Sequence, residues 1–134
     1  MIPLLAEAQL QSQHHQGQVE NGSPIRLRTF TPECEIDAGG MPLVWLDDVK
    51  PDDSVSWLAS LVTSQPDPAL KRDSLATRAI AAIAMHAAPA AVAQLISLAR
   101  GTKSADVRKE AMTWLGRSKD PQALNFLADL LTSK

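Results

Sequence analysis

From residue 52 onward the apolar residues of this chain recur with helical spacing. Val55, Leu58, Ala59 and Val62 stand at i, i+3, i+4 and i+7, one stripe of an α-helix. The same four slots return as Val92, Leu95, Ile96 and Ala99, and again as Leu124, Leu127, Ala128 and Leu131. Between them lie two stretches of another kind, about 74–86 and 105–117. Their apolar slots are Leu75, Ala79, Ala82, Ile83 and Val107, Ala111, Trp114, Leu115. The pattern predicts five helices of two alternating types, two and a half antiparallel hairpins. The punctuation agrees. Asp52 or Asp53 suits the start of the first helix, and Asp120 the N-cap of the last. Pro89 and Pro121 fall at a first turn, where the missing N–H is harmless. Gly101 and Gly116 mark helix ends.

The two halves of this region overlay without a gap at an offset of 32, Leu75 on Val107, Ala79 on Ala111, Pro89 on Pro121 and Leu95 on Leu127. A period of this size is the mark of a stacked repeat array, whose units cannot bury their apolar faces alone. The first stripe stands 37 rather than 32 before the second, because Gln65-Pro66-Asp67-Pro68 lengthens the intervening turn. Two and a half units fall short of the three or so such an array needs. Two remedies suit the sequence. Residues 25–46, with Val44, Trp45 and Leu46, cap the open side of the first helix; or Leu130-Leu131 leave a face for a further repeat, a partner or a second copy.

Before residue 51 the pattern differs. Leu4, Leu5, Ala8 and Leu10 suit a short amphipathic helix over 1–11, and the polar, Gln-rich run that follows reads as a linker, so that 1–23 is expected to be partly disordered. Ile25 to Phe30 alternates as a strand does, Ala38-Gly39-Gly40 supplies a turn, and Leu43 to Leu46 is a second run of strand length. Residues 24–50 are therefore expected to form an extended or β-hairpin cap, and 51–134 the repeat domain. The fold class is mostly α: a short α-solenoid of antiparallel helix pairs with a small extended or β N-terminal segment.

The segment 104–131 resembles the HEAT-like repeat of bilin lyases and of many bacterial proteins. The residues carrying the resemblance are Asp106-Val107-Arg108, Ala111, Leu115-Gly116, Asp120-Pro121-Gln122-Ala123-Leu124 and Leu127, Leu130, Leu131. It is weaker over 72–100, where Ala76 replaces the arginine and Ala88-Pro89 the Asp-Pro, and partial over 53–63. Residues 30–46 also look like the lead-in to repeats in some bacterial HEAT-repeat proteins of unknown function. The resemblance implies an α-solenoid in which Asp106, Val107, Arg108, Leu115, Gly116, Asp120 and Pro121 are structural, the Asp106 and Arg108 side chains tying neighbouring units together. It also suggests a chromophore-handling or lyase-accessory role, though fold and function separate readily.

Charge adds one asymmetry. Residues 1–53 carry nine acids and three bases, residues 54–134 six acids and ten bases. Packing of the acidic part near the basic repeats explains this most simply. The basic residues Lys71, Arg72, Arg78, Arg100, Lys103, Lys109, Arg117 and Lys119 raise nucleic-acid binding as an alternative. Their excess over the interleaved acids is small for a mode of binding that depends on many simultaneous phosphate contacts.

Chemistry is sparse. Cys34, the only cysteine, forms no intrachain disulfide, and its neighbours Glu33, Glu35 and Asp37 disfavour a reactive thiolate. Those three acids lack the spacing of a calcium loop and read as a solvated face. His14-His15 fall in the polar linker and His86 at a helix end, so no histidine metal site is expected. No phosphate-binding glycine loop or nucleophile elbow is present, and no histidine stands near a plausible serine nucleophile. No cofactor is implied.

The leading reading is a non-enzymatic protein–protein interaction scaffold whose partner is another protein, with self-association through the C-terminal repeat as a second possibility. Candidate contact residues are Trp57, which stands one position off the repeated stripe, Arg78, and the outward Gln94, Ser97, Asn125 and Asp129 of the second-type helices. Trp45, Trp57 and Trp114 are each expected to pack on the core. No run of residues reaches the length of a membrane span, and Met1 to His15 lacks the features of a signal peptide. The expected compartment is the cytoplasm, or outside the cell if this is a truncated copy of an exported protein.

Overall fold

The computed structural model describes residues 2–8, 13–20, 23–30, 40, 44–64, 74–86, 89–101 and 104–133. Five helices follow four strands: β1 (Ile2–Ala8), β2 (Gln13–Glu20), β3 (Ser23–Phe30), β4 (Val44–Val49), α1 (Pro51–Thr63), α2 (Leu75–Ala84), α3 (Ala90–Gly101), α4 (Ala105–Arg117) and α5 (Pro121–Thr132).

The helices start where capping chemistry allows. The Ser74 hydroxyl accepts from Thr77 N–H at 3.2 Å at the head of α2, and Ser104 accepts from Val107 N–H at 3.3 Å at the head of α4. The Asp120 carboxylate accepts from Gln122 N–H at 2.8 Å before Pro121 opens α5. Three expected boundaries move by a residue or two. Helix α1 begins at Pro51, with Lys50 in the cap position, so Asp52 and Asp53 occupy the first turn and face the positive end of the helix dipole. Pro89 precedes α3, its carbonyl accepting from Ala93 N–H at 3.0 Å. Gly116 lies inside the last turn of α4, and the chain leaves the helix at the extended Ser118.

The core follows the apolar slots. Ala79, Ile80, Ala82, Ile83, Ala111, Leu115 and Ala123 are wholly enclosed, and Val55, Leu58, Val62, Val92, Leu95, Leu98 and Val107 nearly so. Each helix packs on its neighbour and on the helix after next: α1 on α2 and α3, α2 on α3 and α4, α3 on α4 and α5. Alanines on the buried face of α2 allow this close approach from two sides. Full burial of each larger aliphatic side chain, such as Ile80 or Ile83, contributes about 1.5–3 kcal/mol.

The N-terminal part is a four-stranded sheet in the order β3-β2-β1-β4. β1 and β2 are antiparallel, with Leu5 opposite Gln16, and β2 and β3 are antiparallel, with Gly17 opposite Leu27. β4 joins β1 in parallel, Leu5 opposite Trp45. This corrects two expectations. Residues 2–8 are a strand, not a helix, and 13–20, including His14 and His15, form a strand rather than a linker. Both are interior strands of the sheet, and pairing on two sides overrides a weak local preference. The expected strands over 25–30 and 44–46 are present but do not form a hairpin with each other, since β2 and β1 lie between them. A register shift falls where Pro24, which has no N–H to donate, enters edge strand β3. Leu27 of β3, 2% exposed, belongs to the same core as the helices, and β3 lies against α2. Cys34 and the acids Glu33, Glu35 and Asp37 lie outside the described residues, as do Lys71, Arg72 and Lys103.

Candidate protein-interaction surface

The repeated stripe is covered on α1 and α3 and open on α5. Val55, Leu58, Ala59 and Val62 are all buried; Val92, Leu95 and Ala99 are buried and Ile96 half-buried. On α5 the equivalent Leu124 is 53% exposed and Leu131 88%, with Leu127 half-buried and Ala128 exposed. Leu130, the counterpart of the enclosed Leu98, is 43% exposed. The cause is position in the stack. An interior helix is covered by hairpins on both sides, whereas α5, among the described residues, packs mainly on α4 and α3. The residues of α5 that are buried, Ala123 and Phe126, stand beside the expected stripe. On α3 the buried Ala91 and Leu98 also stand beside the stripe, and Ala123 is the counterpart of Ala91, which was its legible signal; Phe126 has the polar Gln94 as its counterpart and no such signal. Phe126 carries the Arg100 guanidinium over its ring at 4.9 Å.

The expected contact residues are spread over several helices. Ser97, Asn125 and Asp129 are exposed, and Gln94 is half-buried. Arg78 is exposed on α2 and engages a partner. Trp57 is half-buried against the core. Among the repeat residues, Val107 and Leu115 are buried, Arg108 is half-buried, and Asp106, Gly116 and Pro121 are exposed. Asp106 and Arg108 are both engaged in interactions, and Asp120 is the α5 cap. Of the cations, Arg100, Lys109, Arg117 and Lys119 are exposed on the helical part.

A cleft of about 390 Å³ opens where the end of α2, the start of α3 and the α4–α5 turn meet. Ala91, Val92 and Leu95 line it together with His86, Trp114 and Arg117. Trp114 donates its indole N–H to Glu110 Oε1 at 3.2 Å, and the Arg117 guanidinium lies over the Trp114 ring at 5.2 Å. Trp114 is thus a cleft wall as well as a core residue.

His86 is buried, 7% exposed, rather than a solvated helix-end cation. Its Nδ1 lies 2.7 Å from Ala82 O and its Nε2 2.9 Å from Ser54 Oγ. A carbonyl only accepts, so Nδ1 carries the proton and Nε2 accepts from the Ser54 hydroxyl. Burial pulls the pKa of this ring below 6.5, against the opposing pull of the Ala82 and Ile83 carbonyls, and favours this neutral form. The structure therefore does place a histidine against a serine, through a fold of the chain that local sequence does not reveal. The signal was Ser54 itself, a polar residue next to an apolar stripe. The pair lacks the makings of a nucleophile: Ser54 is 4% exposed, the ring is oriented by a carbonyl instead of a carboxylate, and the cleft reaches His86 but not Ser54. Among the described residues no three His, Cys, Asp or Glu side chains converge as a metal site. Among the described residues no helix is long and apolar enough to cross a membrane.

Residues 70–134 match the family model described as HEAT repeats. Over this span the hairpins α2–α3 and α4–α5 are HEAT repeats, and α1, outside it, carries the same apolar spacing as α3 and α5. Neither the comparison with curated proteins nor that with solved structures gives a match.

Proposed function

We propose that this chain is a non-enzymatic protein–protein interaction scaffold. HEAT repeats commonly serve as such scaffolds. The observation that carries the reading here is the open apolar face of α5, where Leu124, Leu130 and Leu131 are exposed although their counterparts on α3 are buried. Exposed leucines grouped on one helix face mark a surface that gains free energy on being covered. The surrounding polar residues Asn125 and Asp129 form the rim such an interface has.

The test is capture from native lysate with and without nuclease, using the wild-type chain and a Leu124→Glu/Leu131→Glu variant. The expected result is a nuclease-resistant protein partner that the variant loses. A catch that disappears with nuclease would replace this reading by nucleic-acid binding through Arg100, Lys109, Arg117 and Lys119. A partner retained equally by the variant would remove the α5 face from the interface.

A further inference from the structure

We infer that the cleft between the α2–α3 and α4–α5 hairpins binds an acidic peptide segment, seating an apolar side chain on its floor and a carboxylate at Arg117. The inference rests on the scaffold reading and names the chemistry of one ligand of that scaffold.

The floor is apolar. Ala91, Val92 and Leu95 line the cleft from α3, and small side chains at its edge leave room for an inserted group. His86 adds a ring face whose two nitrogens are already satisfied by Ala82 O and Ser54 Oγ, so it asks nothing polar of a ligand. At about 390 Å³ the space lies near the small end of ligand pockets, enough for a few side chains and too little for a helix.

The rim selects charge. Arg117 is exposed and makes no ion pair among the described residues; its guanidinium is held over the Trp114 ring, and Trp114 is itself tied to Glu110. Stacking orients the planar fork and removes part of the entropy that a free arginine side chain loses on binding, which suits two-point recognition of a carboxylate. Lys119 is exposed two residues further on. Asp120, the one carboxylate among the described residues that line the cleft, already accepts from Gln122 N–H at the head of α5. The first turn of α3, preceded by Ala88-Pro89, brings no acidic side chain to compete. An apolar side chain next to a carboxylate on one flexible chain satisfies floor and rim together.

The experiment uses the full chain and two labelled, end-blocked heptapeptides, one alternating leucine with aspartate and one alternating leucine with asparagine, read by fluorescence anisotropy. The aspartate peptide is expected to bind at least about tenfold tighter. Arg117→Gln, at an exposed position, should bring the two peptides within about twofold while the circular dichroism spectrum stays unchanged. Equal affinity of wild type for both peptides would overturn the inference, as would undiminished discrimination by Arg117→Gln. Displacement of the aspartate peptide by inorganic phosphate at equal concentration would also overturn it and assign the site to small anions. If wild type discriminates in none of these ways yet still captures a lysate partner, the cleft assignment falls and the scaffold reading stands; if no partner is captured at all, the scaffold reading falls first.

Discussion

His86 Nε2 accepts a hydrogen bond from Ser54 Oγ at 2.9 Å, joining the end of α2 to the first turns of α1 across 32 residues of chain. Both groups are buried, Ser54 at 4% and His86 at 7% exposure. Replacing Ser54 by Ala leaves Nε2 enclosed without a donor, which should destabilise the fold by about 1–3 kcal/mol. Urea unfolding of the variant measures it; an unchanged midpoint would mean that water reaches the ring.

The same residue makes stability depend on pH. Unfolded, His86 takes up a proton at its ordinary value of 6.5; folded, burial holds its pKa lower. Above 6.5 neither state is protonated there and His86 contributes no slope. Below 6.5 the unfolded state binds the proton first, so stability falls with pH until the folded pKa is passed. Melting temperatures of wild type and His86→Gln between pH 8 and 5 check this, the scan range being chosen to span about a unit either side of the histidine value. The expected outcome is a steeper acid decline in the wild type.

Core and edge should respond in opposite ways to truncation. Ile83, wholly enclosed, should lose about 2–5 kcal/mol on replacement by Ala, through lost burial and the cavity left behind. Leu131, 88% exposed, should change by no more than about 0.5 kcal/mol. Paired denaturant titrations decide it, and a large loss at Leu131 would show that its face is already covered in solution.

Asp120 tests the helix cap that the repeat supplies. Asp120→Ala removes the acceptor for Gln122 N–H and should cost about 1 kcal/mol, whereas Asp120→Asn, which keeps an acceptor, should cost less. Similar losses in the two variants would assign the effect to charge instead of the hydrogen bond.

Much of the helical part was legible because its information is local and periodic. The slots at Val107, Ala111 and Leu115 and the cap at Asp120 return in the structure at the residues where spacing put them. The candidate surface was only partly legible. Exposed Ser97, Asn125 and Asp129 follow from helix phase, but which part of the α5 stripe is covered depends on how α3 and α4 approach it. That is why Phe126 is buried and Leu124 is not. The Ser54–His86 contact and the meeting of Trp114, Arg117 and Ala91 in one cleft join different helices, and no single stretch of sequence encodes them.

The sequence by itself determined the repeat: five amphipathic helices, their order, the Asp120 cap, and an enclosed row of alanine, leucine, isoleucine and valine. It could do so because a helix satisfies its own backbone and advertises its buried side at a 3.6-residue period. Tertiary structure decided the rest. Strand pairing drew Ile2–Ala8 and the polar Gln13–Glu20 into a sheet, since a β-ladder is closed by hydrogen bonds from elsewhere in the chain. It also decided which apolar faces stay open, because coverage belongs to the neighbour and not to the helix.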